Sequence, residues 1–225
     1  MFKKYKAFSL LFLLIFVIQL IAAFYALPVL SSVIKLCIVF SLMVFFVMKT
    51  KLHGRFHKRL FTGLVFAGLA DLLLMIPNSS LMLAWSCYLL VHVFYIRAFY
   101  LDFRSAQELD KKNARIAIGI CTVVGMGFYV FLRPHLGTMR IPVMLFTFVA
   151  CMMLMMAVFR NLRVNRESFL LVFAGVLLFV LSDCLLAINQ FTGSFPLAKL
   201  WIMASYMAAQ YLIVIGGVER KLLIN

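Results

Sequence analysis

Acidic residues are scarce in this chain: seven Asp and Glu stand against 22 Lys and Arg over 225 residues. Only 13% of the side chains are charged, whereas 66% are hydrophobic. A soluble domain of this length exposes more surface than so few polar side chains can cover. Long apolar runs account for the composition better. A helix crossing the hydrocarbon core takes roughly 20 predominantly apolar residues, and several stretches qualify. The bilayer is the solvent that organises this chain.

Familiar catalytic signatures are also missing. There is no glycine loop to cradle phosphate, no GxSxG nucleophile elbow and no HExxH. Serine hydrolase and zinc protease chemistry therefore has no support. The five cysteines, Cys37, Cys87, Cys121, Cys151 and Cys184, lie in apolar runs without a CxxC pair. Their odd number and burial argue against a disulfide framework and for small buried hydrophobes.

The formal net charge of +15 invites a nucleic-acid reading. The basic residues, however, sit in short loops between apolar runs, as orientation signals do. They also suit contact with anionic lipid headgroups. No nucleic-acid partner is expected. Lys3, Lys4 and Lys6 precede an apolar run of about 20 residues, long for a signal peptide. An uncleaved first helix is expected.

The pattern predicts an all-α polytopic membrane protein, with residues 1–225 forming a single transmembrane domain. Eight helices are expected, at about 7–27, 29–48, 59–76, 81–101, 113–132, 138–159, 168–189 and 198–217. The breaks have local causes. Pro28 follows helix 1, and Pro77-Asn78 follows helix 3, since the residue before proline disfavours the α region. Pro134 with Gly137-Thr138, and Thr192-Gly193-Ser194 with Pro196, mark two later turns. Pro142 falls in the first turns of helix 6, where proline is tolerated.

Eighteen of the 22 Lys and Arg collect on one side of this arrangement, and only Arg133, Arg140 and Lys199 on the other. That asymmetry places both termini in the cytoplasm. A faint repeat joins helices 3–4 to helices 7–8. Asp71 precedes His92 by 21 residues, and Asp183 precedes Gln210 by 27. Two four-helix halves would put Asp71 and Asp183 in equivalent positions.

Of the seven acids, Asp102, Glu108, Asp110, Glu167 and Glu219 lie in or beside loops. Asp71 and Asp183 alone fall within apolar runs, at a cost of about 2.5–3.5 kcal/mol each at a helix centre. Ionisable residues in such places mark function. Counting about 1.5 Å per residue, Lys35, Asp71, His92, Asp183 and Tyr206 share a band roughly 7–17 Å below the outer boundary. Five polar groups at overlapping depth suggest one cavity. Gln210 shares a helix face with Tyr206. Gly63 and Ala67 share the face of Asp71 and permit close helix approach.

Each candidate has a plainer reading. Asp71 and Lys35 can form a salt bridge that only fixes packing. His92 can be a satisfied interior histidine. Tyr88 and Tyr95, on the His92 face, read as packing. His53 and His57 have i, i+4 spacing, but they lie in the basic loop Lys51–Arg59 with no carboxylate or thiolate beside them. Met152, Met153, Met155 and Met156 read as flexible packing. Neither a metal nor an organic cofactor is expected.

Four segments resemble the lysoplasmalogenase family of YhhN-like membrane proteins. They are GLVFAGLADLLLM around Asp71, SCYLLVHVFYIRAF through His92, GVLLFVLSDCLLAINQF around Asp183 and SYMAAQYLIVIG around Gln210. Lys35, in VIKLC near the start of helix 2, also fits that pattern. The resemblance implies an eight-helix enzyme that hydrolyses the vinyl ether bond of lysoplasmalogens. The products are a fatty aldehyde and a glycerophospho-ethanolamine or -choline. Its substrate partner is a lysophospholipid, met in the bilayer. An integral, multi-pass location is expected, the inner membrane for a bacterial source.

Vinyl ether hydrolysis needs a proton delivered to carbon, then water. Two carboxyls can divide that work, one as acid and one as base. Asp183 is read as the acid and Asp71 as the partner of Lys35, with His92, Tyr206 and Gln210 positioning water or substrate. Three rivals remain. Midmembrane charges and repeats also occur in transporters. Two membrane aspartates suggest an intramembrane aspartyl protease, although Gly68-Leu69-Ala70-Asp71 only approaches a GxGD motif. A lipid sensor without chemistry is the third.

Overall fold

The computed structural model describes residues 4–25, 27–76, 81–105 and 111–223. Its eight α-helices are α1 (Lys6–Phe24), α2 (Pro28–Thr50), α3 (Gly54–Leu73), α4 (Leu81–Phe103), α5 (Lys111–Leu132), α6 (Arg140–Val158), α7 (Arg166–Phe191) and α8 (Ala198–Val218). Two 3-10 turns, Arg133–His135 and Gly137–Met139, join α5 to α6. Among the described residues, seven helices are long and apolar enough to cross a membrane. The exception is α3, which Arg55, Lys58, Arg59 and Asp71 load with charge. The Pro77-Asn78 break, Glu108 and Asp110 lie outside the described residues.

Helix α3 begins at Gly54, five residues earlier than the sequence suggests. What reads as a basic loop is mostly the first turns of a helix. The α2–α3 connection is correspondingly tight. Lys51 and Leu52 adopt φ of 47° and 53°, and Gly54 follows at 78°. Left-handed backbone at two non-glycine residues persists only where surrounding structure imposes it. His53 precedes the helix, and the His57 ring nitrogen Nδ1 meets the His53 carbonyl at 2.5 Å. The helix also ends earlier, at Leu73, which puts Asp71 in its last turn.

Two hairpins are packed most closely. In α3–α4, a Cβ on Gly63 would lie 2.5 Å from the Tyr95 ring. In α7–α8, a Cβ on Gly175 would lie 2.9 Å from the Ala209 carbonyl oxygen. Missing side chains let these backbones approach, as close helix packing in membranes requires. The main core runs between the hairpins and α2, and includes Leu42, Phe46, Leu60, Val91, Phe179 and Met207. Helix α1 joins it: Phe8 stacks on Phe45 at 3.9 Å, and the Ser9 and Tyr211 hydroxyls lie 2.6 Å apart.

The basic face is closed by ion pairs that the sequence hides. Asp102 reads there as a loop acid, yet it is the fully buried end of α4. Arg160 Nε donates to its Oδ2 at 2.7 Å, and Arg220 Nε to its Oδ1 at 2.6 Å. Arg160 Nη2 also donates to Ser168 Oγ at 3.0 Å, and that hydroxyl donates to the Gly216 carbonyl at 2.7 Å. Thus one carboxylate ties together α4, the α6–α7 connection, α7 and the end of α8. Replacing Asp102 by Ala leaves a guanidinium buried without its charge partner, a loss of about 3–5 kcal/mol. The expected readout is a clearly lowered thermal midpoint in detergent. An unchanged midpoint would mean that water already serves these arginines.

Lys4 Nζ lies 2.8 Å from Glu219 Oε1, so the two ends of the described chain meet on this face. Burial raises the Glu219 carboxyl, but hydrogen bonds with Lys4 and Tyr5 outweigh it and leave a net downward shift. A carboxyl lowered in the folded state stabilises above its ordinary range and loses that contribution as pH falls through its folded value.

Candidate active site

Asp71 sits in the last turn of α3, where the negative end of the helix dipole opposes its charge. Three donors offset this. Lys35 Nζ, from α2, lies 2.6 Å from Oδ1. The Tyr88 hydroxyl, from α4, donates to the same oxygen in a short hydrogen bond. The Tyr206 hydroxyl, from α8, donates to Oδ2 at 3.0 Å. Lys35 also donates to the Tyr88 hydroxyl at 3.2 Å and lies 4.7 Å from the centre of the Tyr206 ring. An acceptor-only carboxylate fits this donor set. Four helices therefore converge on one carboxyl, whose side chain is 1% exposed.

The second acid is built differently. Asp183, on α7, meets His92 Nε2 through Oδ2 at 2.9 Å. His92 Nδ1 lies 2.8 Å from the Tyr88 carbonyl. A carbonyl can only accept, so Nδ1 carries a hydrogen. The Nε2–Oδ2 contact then needs one further proton, held either by the imidazole or by the carboxyl. The pair is a store of one transferable proton. Its imidazole is locked in place, stacked on Phe179 and edge-on to Phe146, each at 5.0 Å between ring centres.

Tyr88 joins the two halves. Its hydroxyl bonds Asp71 and Lys35, while its carbonyl orients His92. The sequence reading of Tyr88 as packing is corrected here. The signal was its position one turn before His92, on a face where a phenol can reach a neighbouring helix. Gln210 is not brought to either Asp among the described residues. Its Oε1 accepts from the Tyr95 hydroxyl at 2.7 Å, and its Nε2 is buried without a hydrogen-bond partner. Tyr95 thus also has a polar contact beyond packing. Among the described residues no group of three His, Cys, Asp or Glu is placed to hold a metal.

Beside Asp183 lies a cavity of about 320 Å³ between α4, α5, α6 and α7. Its wall is almost wholly apolar, with Trp85, Phe128, Phe146 and Leu154 among the residues lining it. Asp183 and Tyr88 border it, whereas Asp71 and Lys35 do not. The Asp183 carboxyl therefore faces a space suited to a hydrocarbon chain. The Asp71 cluster stands behind Tyr88.

Fold and site together define an integral multi-pass membrane protein with a protonatable pair opening onto an apolar cavity. A model of the YhhN family matches residues 30–217, and the chain belongs to that family. It is 26% identical over 175 residues to the Bos taurus lysoplasmalogenase TMEM86A. That match covers 72% of this chain and 66% of the relative, so it spans just under two thirds of the relative's length. No solved structure matches the chain.

Proposed function

We propose that this protein hydrolyses the vinyl ether bond of lysoplasmalogens, with Asp183 as the acid. The observation that carries the reading is the hydrogen-bonded pair of His92 and Asp183, with Asp183 at the wall of an apolar cavity. Family membership and the similarity to a lysoplasmalogenase support the substrate class. All eight helices are read as crossings, with both termini on the cytoplasmic side because Lys and Arg collect there.

The chemistry follows from where protons are available. The alkenyl chain lies in the cavity with its double bond against Asp183. A proton passes from the Asp183–His92 pair to the alkenyl carbon beyond the one that bears oxygen. The ether oxygen stabilises the cation at its neighbouring carbon as an oxocarbenium ion. Water attacks that carbon, and the pair, now one proton short, takes a proton from the water. The resulting hemiacetal breaks its bond to the glycerol oxygen. Its hydroxyl proton leaves, the glycerol oxygen gains one, and aldehyde and glycerophospho-base separate. No net proton is consumed.

Asp71 acts through Tyr88 rather than on substrate. Asp71 accepts the Tyr88 hydrogen while Lys35 donates to the same phenol oxygen, which fixes Tyr88 and so the carbonyl that orients His92. Lys35 keeps that carboxylate compensated in a site with little water, and Tyr206 fixes its second oxygen. Low local dielectric strengthens each of these interactions. Gln210 and Tyr95 support the α4–α8 contact one turn deeper.

Purified protein is expected to release aldehyde from lysoplasmalogen and none from the saturated 1-alkyl analogue, which has no carbon to protonate. Cleavage of both would mean a different bond is attacked. Folded protein that releases aldehyde from neither ethanolamine nor choline substrates would favour transport or sensing.

A further inference from the structure

The cavity is shorter than the chain it would hold. On α7 its lining runs from Leu177 through Asp183 to Ala187. At about 1.5 Å per residue, roughly 9 Å of cavity lies on the basic-face side of Asp183. One leaflet of hydrocarbon is about 15 Å thick, half of a core of about 30 Å. A chain that spans a leaflet therefore overruns this part of the cavity by roughly 6 Å.

One side of the wall is open. On α6, Val143 and Ala150 are closed off, 4% and 5% exposed, and the other lining residues are half-buried. The lining residues that face outward all stand on α5 and α7: Ile120 is 57% exposed, Val124 62% and Leu177 43%. Helix α5 packs against α6 and the 3-10 turn that follows it. It flanks the cavity opposite α7 rather than closing on it. The outward residues are apolar, so bilayer and not water meets this opening.

We propose that the gap between α5 and α7 is a lateral portal for a lipid hydrocarbon chain. The proximal part of the chain fills the cavity, and the distal part runs between Ile120, Val124 and Leu177 into the bilayer. This proposal deepens the hydrolase reading, which supplies the bond that reacts at Asp183. The position of the chain can be tested without turnover. It also implies that chain length beyond the cavity is weakly discriminated, because the excess lies in lipid.

The test uses full-length protein in phosphatidylcholine nanodiscs with a long-chain 1-alkyl lysophosphoethanolamine. This probe carries a diazirine either near the ether oxygen or near the methyl end. Labelled residues are mapped by mass spectrometry. The near probe is expected on Phe146, Ala150 or Cys184, and the far probe on Ile120, Val124 or Leu177. Val124→Trp with Leu177→Trp is expected to cut far-probe labelling about tenfold at matched thermal midpoint. The same variant should slow aldehyde release from long-chain substrates to a similar degree and more than from short-chain ones. Far-probe labelling on α1 or α2, or no labelling by either probe, would overturn the portal. The expected labelling with no aldehyde release from the wild type would instead sink the hydrolase reading alone.

Discussion

Replacing Asp183 by Asn is expected to lower aldehyde release by about 10²–10⁴-fold while the protein stays folded. The asparagine amide can still donate to His92 Nε2, and His92 Nδ1 keeps its hydrogen for the Tyr88 carbonyl. Geometry is therefore retained, and only the acidic proton is removed. A near-isosteric change at a partly exposed position costs little stability compared with the loss in rate. The measurement is steady-state aldehyde release beside a thermal midpoint for each protein. A variant within about threefold of wild type would remove Asp183 from the role of acid. His92→Gln is expected to fall between them, since an amide can hold the carboxyl but cannot share its proton.

The second large effect is on stability. Lys35→Met removes the cation paired with Asp71 among the described residues and leaves the carboxylate with two phenols. Breaking a buried pair from one side costs about 3–5 kcal/mol. Adding Asp71→Leu removes the stranded charge, and most of that loss is expected to return. The double-mutant cycle separates the pair from its surroundings. It also decides between packing and chemistry. A stable double variant with greatly slowed aldehyde release would mean that the pair serves catalysis through Tyr88. A stable and fully active double variant would make the Asp71–Lys35 bridge purely structural. A single Lys35→Met variant with an unchanged midpoint would mean that the carboxylate is neutralised in another way.

The contrast between the two acids explains why the predictions differ in kind. Asp71 is enclosed by donors from three other helices, so its loss is felt by the whole bundle. Asp183 has His92 as its polar partner among the described residues and an apolar cavity beside it, so its loss is felt by whatever enters the cavity. The side-chain exposures, 1% for Asp71 and 15% for Asp183, express the same division.

Helix order, most helix ends and the two acids set within apolar runs were legible in the linear chain. Insertion into a bilayer depends on local quantities: the length of an apolar run, the prolines that break it and the basic residues that flank it. Asp71 and Asp183 stood out for the same reason, because a carboxyl in an apolar run is costly wherever the run packs. The start of α3 was misplaced because Arg55, Lys58 and Arg59 read as loop, although charged side chains on a first helical turn reach the headgroup layer.

Which groups meet was decided only by tertiary structure. Helices that are apolar all round carry no stripe to show which side faces a neighbour and which faces lipid. Their rotation and offset depend on close contacts such as Gly63 against Tyr95 and Gly175 against Ala209. Those contacts deliver Tyr88 and Tyr206 to Asp71, His92 to Asp183 and Arg160 to Asp102. The cavity has the same origin: α5 and α7 stand apart across a space that no sequence interval records. The sequence by itself determined that two carboxyls lie in the membrane. Packing decided that one is enclosed by donors and that the other pairs with His92 beside an apolar cavity.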